Sequence, residues 1–331
     1  MFFSTFLLLF WTVFSWTVRL KREDDDAAAA AGDGSAAQRP SYDTLDQVKA
    51  ALQEVGLESS NLIIGVDFTK SNEWTGSMSS MDGRNSGRRC FNGRSLHHVG
   101  EEDGPNPYEQ AVDIIGKTLS SFDEDNKIPC FGFGDMSTHD RDVFSFFRDG
   151  RPCNGVSEAL QRYREIAPCV RLSGPTSLVP MIETATRIVQ ESGYQYHILL
   201  IIADGQAPTT TSAHSSSYPG EERSVNYLEE RTLQALRHAS HFPLSIVLVG
   251  VGDGPWSNLI HCHDNRRLFD NFQFVNFTEI MSREMSQAEK EDRFALEALM
   301  KTPTQFSAII SQRISDLAAR APTRTSLPPP C

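Results

Sequence analysis

Three oxygen-bearing side chains stand at alternate positions in Asp67-Phe-Thr69-Lys-Ser71. A carboxylate with two hydroxyls is a hard donor set. It suits Mg²⁺ or Mn²⁺, because hard cations prefer oxygen and keep several waters. The triplet follows an apolar run, Leu62 to Val66, with the length and type of a buried strand. In open α/β sheets, sites form outside the carboxyl ends of the strands, so the position fits as well as the chemistry. Two more residues can complete the set. Asp204 ends a second apolar run, HILLIIA, and Thr176 lies in a turn after Ser173-Gly-Pro that opens a helix. If the two strands are neighbours, their carboxylates meet and repel unless a cation lies between them. Each residue taken alone also reads as a helix N-cap, since Asp, Ser and Thr are the usual caps. For Thr176 the two readings stand level. For Asp67, Thr69 and Ser71 the alternation favours ligands.

The elements that must position these groups alternate between helix and strand. Leu45, Val48, Leu52 and Val55 recur at helical spacing over 43–55. The stretch 73–107 is polar with six glycines and reads as a long loop. A helix over Tyr108–Phe122, a strand over Ile128–Phe133, a helix over Val156–Ile166 and an amphipathic helix through Leu178, Ile182, Ala185 and Val189 follow. Strand Tyr196–Ala203 and a Ser/Thr loop then lead to helix Ser224–Ala239 and strand Leu244–Val251. Strand Phe272–Phe277 and helices near 286–301 and 304–318 complete the pattern. Continuous apolar strands between helices indicate an α/β fold, a mostly parallel sheet with helices on both faces. One domain is expected over 43–318.

The ends differ in kind. Residues 1–18 are uncharged and largely apolar, and Arg19-Leu-Lys-Arg22 follows. That is the lower limit for a membrane span. Basic residues on its C-terminal side would leave the domain in the cytosol. Segment 1–22 therefore reads as a cytosol-facing anchor, an unusual signal peptide or a spurious extension of the gene. Phe2 excludes N-myristoylation. Residues 23–42 are acidic and then Ala/Gly/Ser-rich, a disordered linker, and 319–331 form a Pro-rich tail. The net charge of −12 without basic blocks argues against nucleic acid and against anionic lipid as electrostatic partners. The six cysteines are scattered, with no C-x-x-C pair, so no zinc finger or RING can be built from them. They suit reduced thiols in the cytoplasm. His261-Cys262-His263 could hold a metal but reads better as a surface turn.

Asp-x-Thr-x-Ser, a Thr after a turn and an Asp-Gly after a strand together resemble the metal-ion-dependent adhesion site (MIDAS) of von Willebrand factor A (vWA) domains. The strings VDFTKSNEWTG, SLHHV, NPYEQAVDIIGKTLSSFDEDNKIPCFGFGD, LSGPTS, ILLIIADGQ and VGVGDGPW are narrower. They resemble the copine-type A domain, and most of all the plant RING-domain ubiquitin ligase (RGLG) family. The resemblance spans 43–318. It implies a Rossmann-like, doubly wound sheet with a divalent cation at its top. Asp67, Thr69, Ser71, Thr176 and Asp204 would hold the ion, directly or through water. A partner protein's Asp or Glu would fill an open coordination position. The sequence departs from the family in two ways. A RING is not found, the chain reaching Pro328-Pro-Pro330 and Cys331 instead, and Met78–Asn92 is longer and richer in Gly, Arg and Ser than expected.

Other motifs fail. Gly116-Lys117-Thr118 has Ala111 where a phosphate-binding loop needs Gly, and it lies within a helix. Gly250-x-Gly252-x-Gly254 lacks dinucleotide-binding spacing. His97 and His98 read as loop histidines. Asn276-Phe-Thr278 is a sequon at the end of a buried strand, poorly placed for glycosylation. The expected function is metal-dependent protein binding in ubiquitin-ligase-type signalling, as an adaptor or as the substrate-binding part. The partner would donate an acidic side chain, and ubiquitination substrates are among the partners expected. The alternative is a fragment of a full RING-type ligase. Metal-assisted phosphoryl chemistry at Asp67 and Asp204 lacks a general base and a phosphate cradle. The expected location is cytoplasmic or nuclear, or membrane-anchored facing the cytosol if residues 1–18 are an anchor.

Overall fold

A computed structural model describes residues 42–57, 61–73, 94–100, 104–122, 125–205, 221–252, 254, 256 and 270–320. The N-terminal segment, the linker up to Ser41, Met78–Asn92, the His261-Cys262-His263 triplet and residues 321–331 of the tail lie outside these residues, while Ala319 and Arg320, expected in the tail, end the last helix. Among the described residues no helix is long and apolar enough to cross a membrane.

Helix α1 spans Leu45–Glu54, strand β1 Asn61–Asp67 and helix α2 Pro107–Leu119. Short strands β2 (Lys127–Ile128), β3 (Cys130–Phe133), β4 (Phe144–Ser145) and β5 (Cys153–Asn154) follow, then α3 (Gly155–Ile166) and α4 (Val179–Glu191). Strand β6 is His197–Ala203, α5 Glu221–Ala239, β7 Leu244–Gly250 and β8 Phe272–Asn276. Helices α6 (Phe277–Ser282), α7 (Gln287–Leu299) and α8 (Thr302–Arg320) close the sequence of elements.

The main sheet has the order β4-β3-β1-β6-β7-β8, parallel except for the edge strand β4. This is the expected α/β fold with a mostly parallel sheet. Side chains alternate between its faces, as the pleat requires. On β6, Ile198, Leu200 and Ile202 enter one core with α1, α2, α7 and α8, while Leu199, Ile201 and Ala203 pack against α4 and α5. Burial on both faces is why the strands read as unbroken apolar runs. The expected strand over Ile128–Phe133 is two strands divided at Pro129, which has no N–H for a ladder. The strand expected over Phe272–Phe277 stops at Asn276, whose side chain accepts from the Glu279 N–H and starts α6.

Two helix positions explain features that chemistry could have claimed. Asn106 and Glu109 form a reciprocal capping box before α2, with Pro107 in its first turn. Gly116, within the discarded Gly-Lys-Thr motif, lets α2 approach α3: a Cβ there would lie 2.3 Å from Val156 Cγ2. The glycine is a packing requirement, not part of a phosphate loop.

Candidate metal centre

Strands β1 and β6 are hydrogen-bonded neighbours, with Val66 opposite Ile202. Their ends therefore bring Asp67 and Asp204 to the same edge of the sheet, and both are fully buried. Beyond β1 the chain turns into a short 3₁₀ helix, Lys70–Glu73. That turn carries Thr69 and Ser71 back over the strand ends. The Thr69 and Ser71 hydroxyl oxygens lie 2.9 Å apart, and Ser71 Oγ donates to Asp204 Oδ1 at 2.9 Å.

Thr176 arrives from a separate segment. Residues 172–176 run beside the turn: Thr69 and Ser173 form an isolated parallel bridge, and the Lys70 N–H donates to the Ser173 carbonyl at 2.6 Å. This docking places Thr176 Oγ1 within 3.3 Å of Thr69 Oγ1. The cap of α4 is Leu178, without a side-chain hydrogen bond. Thr176 is thus not the cap, and its hydroxyl turns to the cluster. The structure brings all five sequence-derived residues into one continuous set of oxygens.

One atom in this set lacks a partner. Asp67 Oδ1 accepts the Thr69 N–H at 2.8 Å, but Oδ2 is buried without a hydrogen bond. An orphaned buried acceptor costs about 1–3 kcal/mol, more when charged. Burial, and then the nearby Asp204 carboxylate, push the Asp67 pKa well above the usual carboxylate range. Two buried carboxylates and three hydroxyls fit a hard divalent cation, which would neutralise the pair and give Oδ2 a partner. Among the described residues no group of three or more His, Cys, Asp or Glu side chains could hold a metal, so the hydroxyls are integral to this reading.

The supports were only partly visible in the sequence. Gly134, at the end of β3, has φ +80°, and a Cβ there would lie 2.4 Å from Thr69 Cγ2 and 3.3 Å from Asp67 Oδ1. It leaves room for the turn. Asp135, next to it, is not a member of the oxygen set. Burial raises its pKa, but hydrogen bonds from Thr138 and Ser137 outweigh this and hold it below the ordinary value.

His97 corrects the reading of a loop histidine. Residues 94–100 have no regular structure, yet the His97 ring is buried and stacked between Phe68 and Tyr108, at centroid distances of 4.5 and 4.2 Å. Nε2 donates to the Asp67 carbonyl at 2.8 Å, which leaves Nδ1 to accept from the Tyr163 hydroxyl at 2.8 Å. Burial lowers its pKa to about 3, so the ring is neutral. Tyr108 Oη also donates into this corner, 2.6 Å from Asn72 Oδ1. The Asn72 side chain in turn donates to the Thr69 carbonyl at 3.0 Å. The backbone that carries the donors is held from behind by aromatic rings. The string SLHHV was a signal, but spacing alone could not tie His97 to Asp67.

The copine family profile matches residues 95–317. The E3 ubiquitin-protein ligase RGLG1 of Arabidopsis thaliana is 53% identical over 293 residues, 88% of this chain and 56% of that protein. RGLG3 of the same plant is 49% identical over 300 residues, covering 88% of this chain and 76% of that protein. The chain thus spans little more than half the length of RGLG1. Among solved structures, a von Willebrand factor type A protein from Catenulispora acidiphila matches with TM-score 0.37 and 11% identity, over 72% of this chain and 43% of that one.

Proposed function

The chain belongs to the copine family, and shares about half its residues with the RGLG ubiquitin ligases. On that footing we propose that it is a metal-dependent protein-binding module in ubiquitin-ligase-type signalling, acting in the cytoplasm or nucleus as an adaptor or as the substrate-binding part of a ligase. The observation that carries this reading is the orphaned Asp67 Oδ2 within a set of five oxygens from three chain segments.

Asp67, Thr69, Ser71, Thr176 and Asp204 would hold a divalent cation, directly or through water. Two carboxylates and three hydroxyls are hard oxygen donors, and that chemistry suits Mg²⁺ or Mn²⁺. The bound cation supplies a Lewis-acidic position that a carboxylate of a partner protein can occupy.

The test is retention of partner proteins by the immobilised chain. Proteins held in Mn²⁺ should be released by EDTA and should not be retained by Asp67→Ala. Retention indifferent to both treatments contradicts the proposal.

The greater length of the RGLG relatives favours a second reading, in which ubiquitin transfer is performed by a zinc-binding part outside these 331 residues. The 331-residue chain, given ubiquitin with activating and conjugating enzymes, is expected to build no ubiquitin chains. Robust chain formation would make it a ligase in its own right and overturn both readings.

A further inference from the structure

A cleft of about 370 Å³ adjoins the oxygen cluster, lined in part by Lys70, Glu73, His97, His98, Arg171 and Leu172. Its position is set by the same turn that forms the cluster. Lys70 lies between Thr69 and Ser71 in sequence, and Arg171 is two residues before Ser173, which bridges Thr69. His97 belongs to the cleft and also donates to the Asp67 carbonyl. The cleft and the metal position therefore share a wall.

The charge here is opposite in sign to that of the whole chain. Net charge is −12, yet Lys70 and Arg171 are both exposed on this cleft, and among the described residues neither side chain makes an ion pair. Arg94 Nη1 lies 2.9 Å from His98 Nε2, a residue of the lining. Among the described residues Glu73 is the single acidic residue of the lining. Met136, 51% exposed, adds an apolar contact at the edge: its N–H donates to the Arg171 carbonyl at 2.9 Å. Such a surface suits a carboxylate on a peptide, since Arg binds carboxylates in a planar fork. A flat anionic membrane suits it less, because the chain as a whole repels one.

We propose that this cleft receives a second carboxylate of the partner, so that the chain selects protein segments carrying two acidic residues, one for the metal and one for Lys70 and Arg171. This rests on the metal-dependent binding proposed above and adds its specificity.

The experiment uses fluorescein-labelled Gly/Ser peptides carrying either one glutamate or a pair at varied spacing, with anisotropy read at saturating Mn²⁺. For the unaltered chain, the best-spaced pair should bind about ten-fold tighter than the single glutamate, and the advantage should shrink at high salt. In Lys70→Gln/Arg171→Gln the advantage should vanish, while Mn²⁺ affinity and single-glutamate affinity persist. That persistence also reports an intact fold. Asp67→Ala should lose both peptides. A pair advantage that survives in the double variant overturns the cleft and leaves the metal reading intact. Peptide binding that survives Asp67→Ala but loses its pair advantage in the double variant overturns the metal reading instead. Binding to phosphatidylserine vesicles with neither peptide bound overturns the cleft proposal in favour of a lipid surface.

Discussion

The Ser71 hydroxyl donates to Asp204 Oδ1 at 2.9 Å across a sequence separation of 133 residues. It joins the turn after β1 to the end of β6, and so depends on those strands being neighbours. Ser71→Ala removes this bond and one oxygen of the cluster. The hydroxyl bonds both Thr69 and Asp204, so stability should fall by about 1–2 kcal/mol. Mn²⁺ affinity should fall about ten-fold or more, because one oxygen donor is gone. Denaturant melts with and without Mn²⁺ separate the two effects.

Asp67→Asn should stabilise the metal-free chain. The Asp67 carboxylate is fully buried near that of Asp204, and burial and this neighbour both oppose its charge. The amide removes the repulsion and keeps an oxygen for the Thr69 N–H. A higher Tm than the unaltered chain in EDTA, with no further gain on adding Mn²⁺, is expected. A lower Tm in EDTA would show that the two carboxylates do not oppose each other.

Gly134→Ala tests the support under the turn. The new Cβ meets Thr69 Cγ2 at 2.4 Å, and the backbone has φ +80°, which any side chain disfavours. Destabilisation of at least about 1–2 kcal/mol is expected, with weakened Mn²⁺ binding, because Thr69 must move. Equilibrium urea unfolding measures the first and calorimetric titration the second.

His97→Ala should cost about 3 kcal/mol or more. It leaves a void between Phe68 and Tyr108 and takes hydrogen bonds from the Asp67 carbonyl and the Tyr163 hydroxyl. A substitution at neighbouring His98, which is only half-buried, should cost far less. Equal effects in urea melts would contradict the assignment of His97 to the core.

Acid sensitivity should arise in part at His197. Burial lowers its pKa in the folded chain, while its Nδ1 contact with the Gln195 carbonyl opposes the shift. The unfolded chain therefore binds a proton first. The contribution is complete above the unfolded value of about 6.5 and is lost as pH falls from there toward the lower folded value, by at most about 1.4 kcal/mol per pH unit. His197→Gln should flatten stability against pH in that window. An unchanged slope would assign the acid response elsewhere.

The site's donors were legible because each ends a recognisable element. Asp67 and Asp204 stop apolar runs, and Thr69 and Ser71 alternate just beyond one of them. That the two runs are adjacent is a matter of topology, and the sequence could state it only as a condition. The short strands β4 and β5 have two residues each, too few to show any periodicity. His97 and Gly134 were missed as parts of the site for a related reason. Their roles depend on contacts with Asp67 and Thr69 made across the fold, and irregular backbone carries no repeat to announce burial.

Calorimetric titration of Mn²⁺ into the metal-free chain, beside Asp67→Ala and Thr176→Ala, decides whether these oxygens hold the ion. One site in the unaltered chain, no measurable binding in Asp67→Ala and weakened binding in Thr176→Ala are expected, with all three chains folded by circular dichroism. Equal Mn²⁺ affinity in the three folded chains would contradict this, because the ion would then lie somewhere other than among these oxygens.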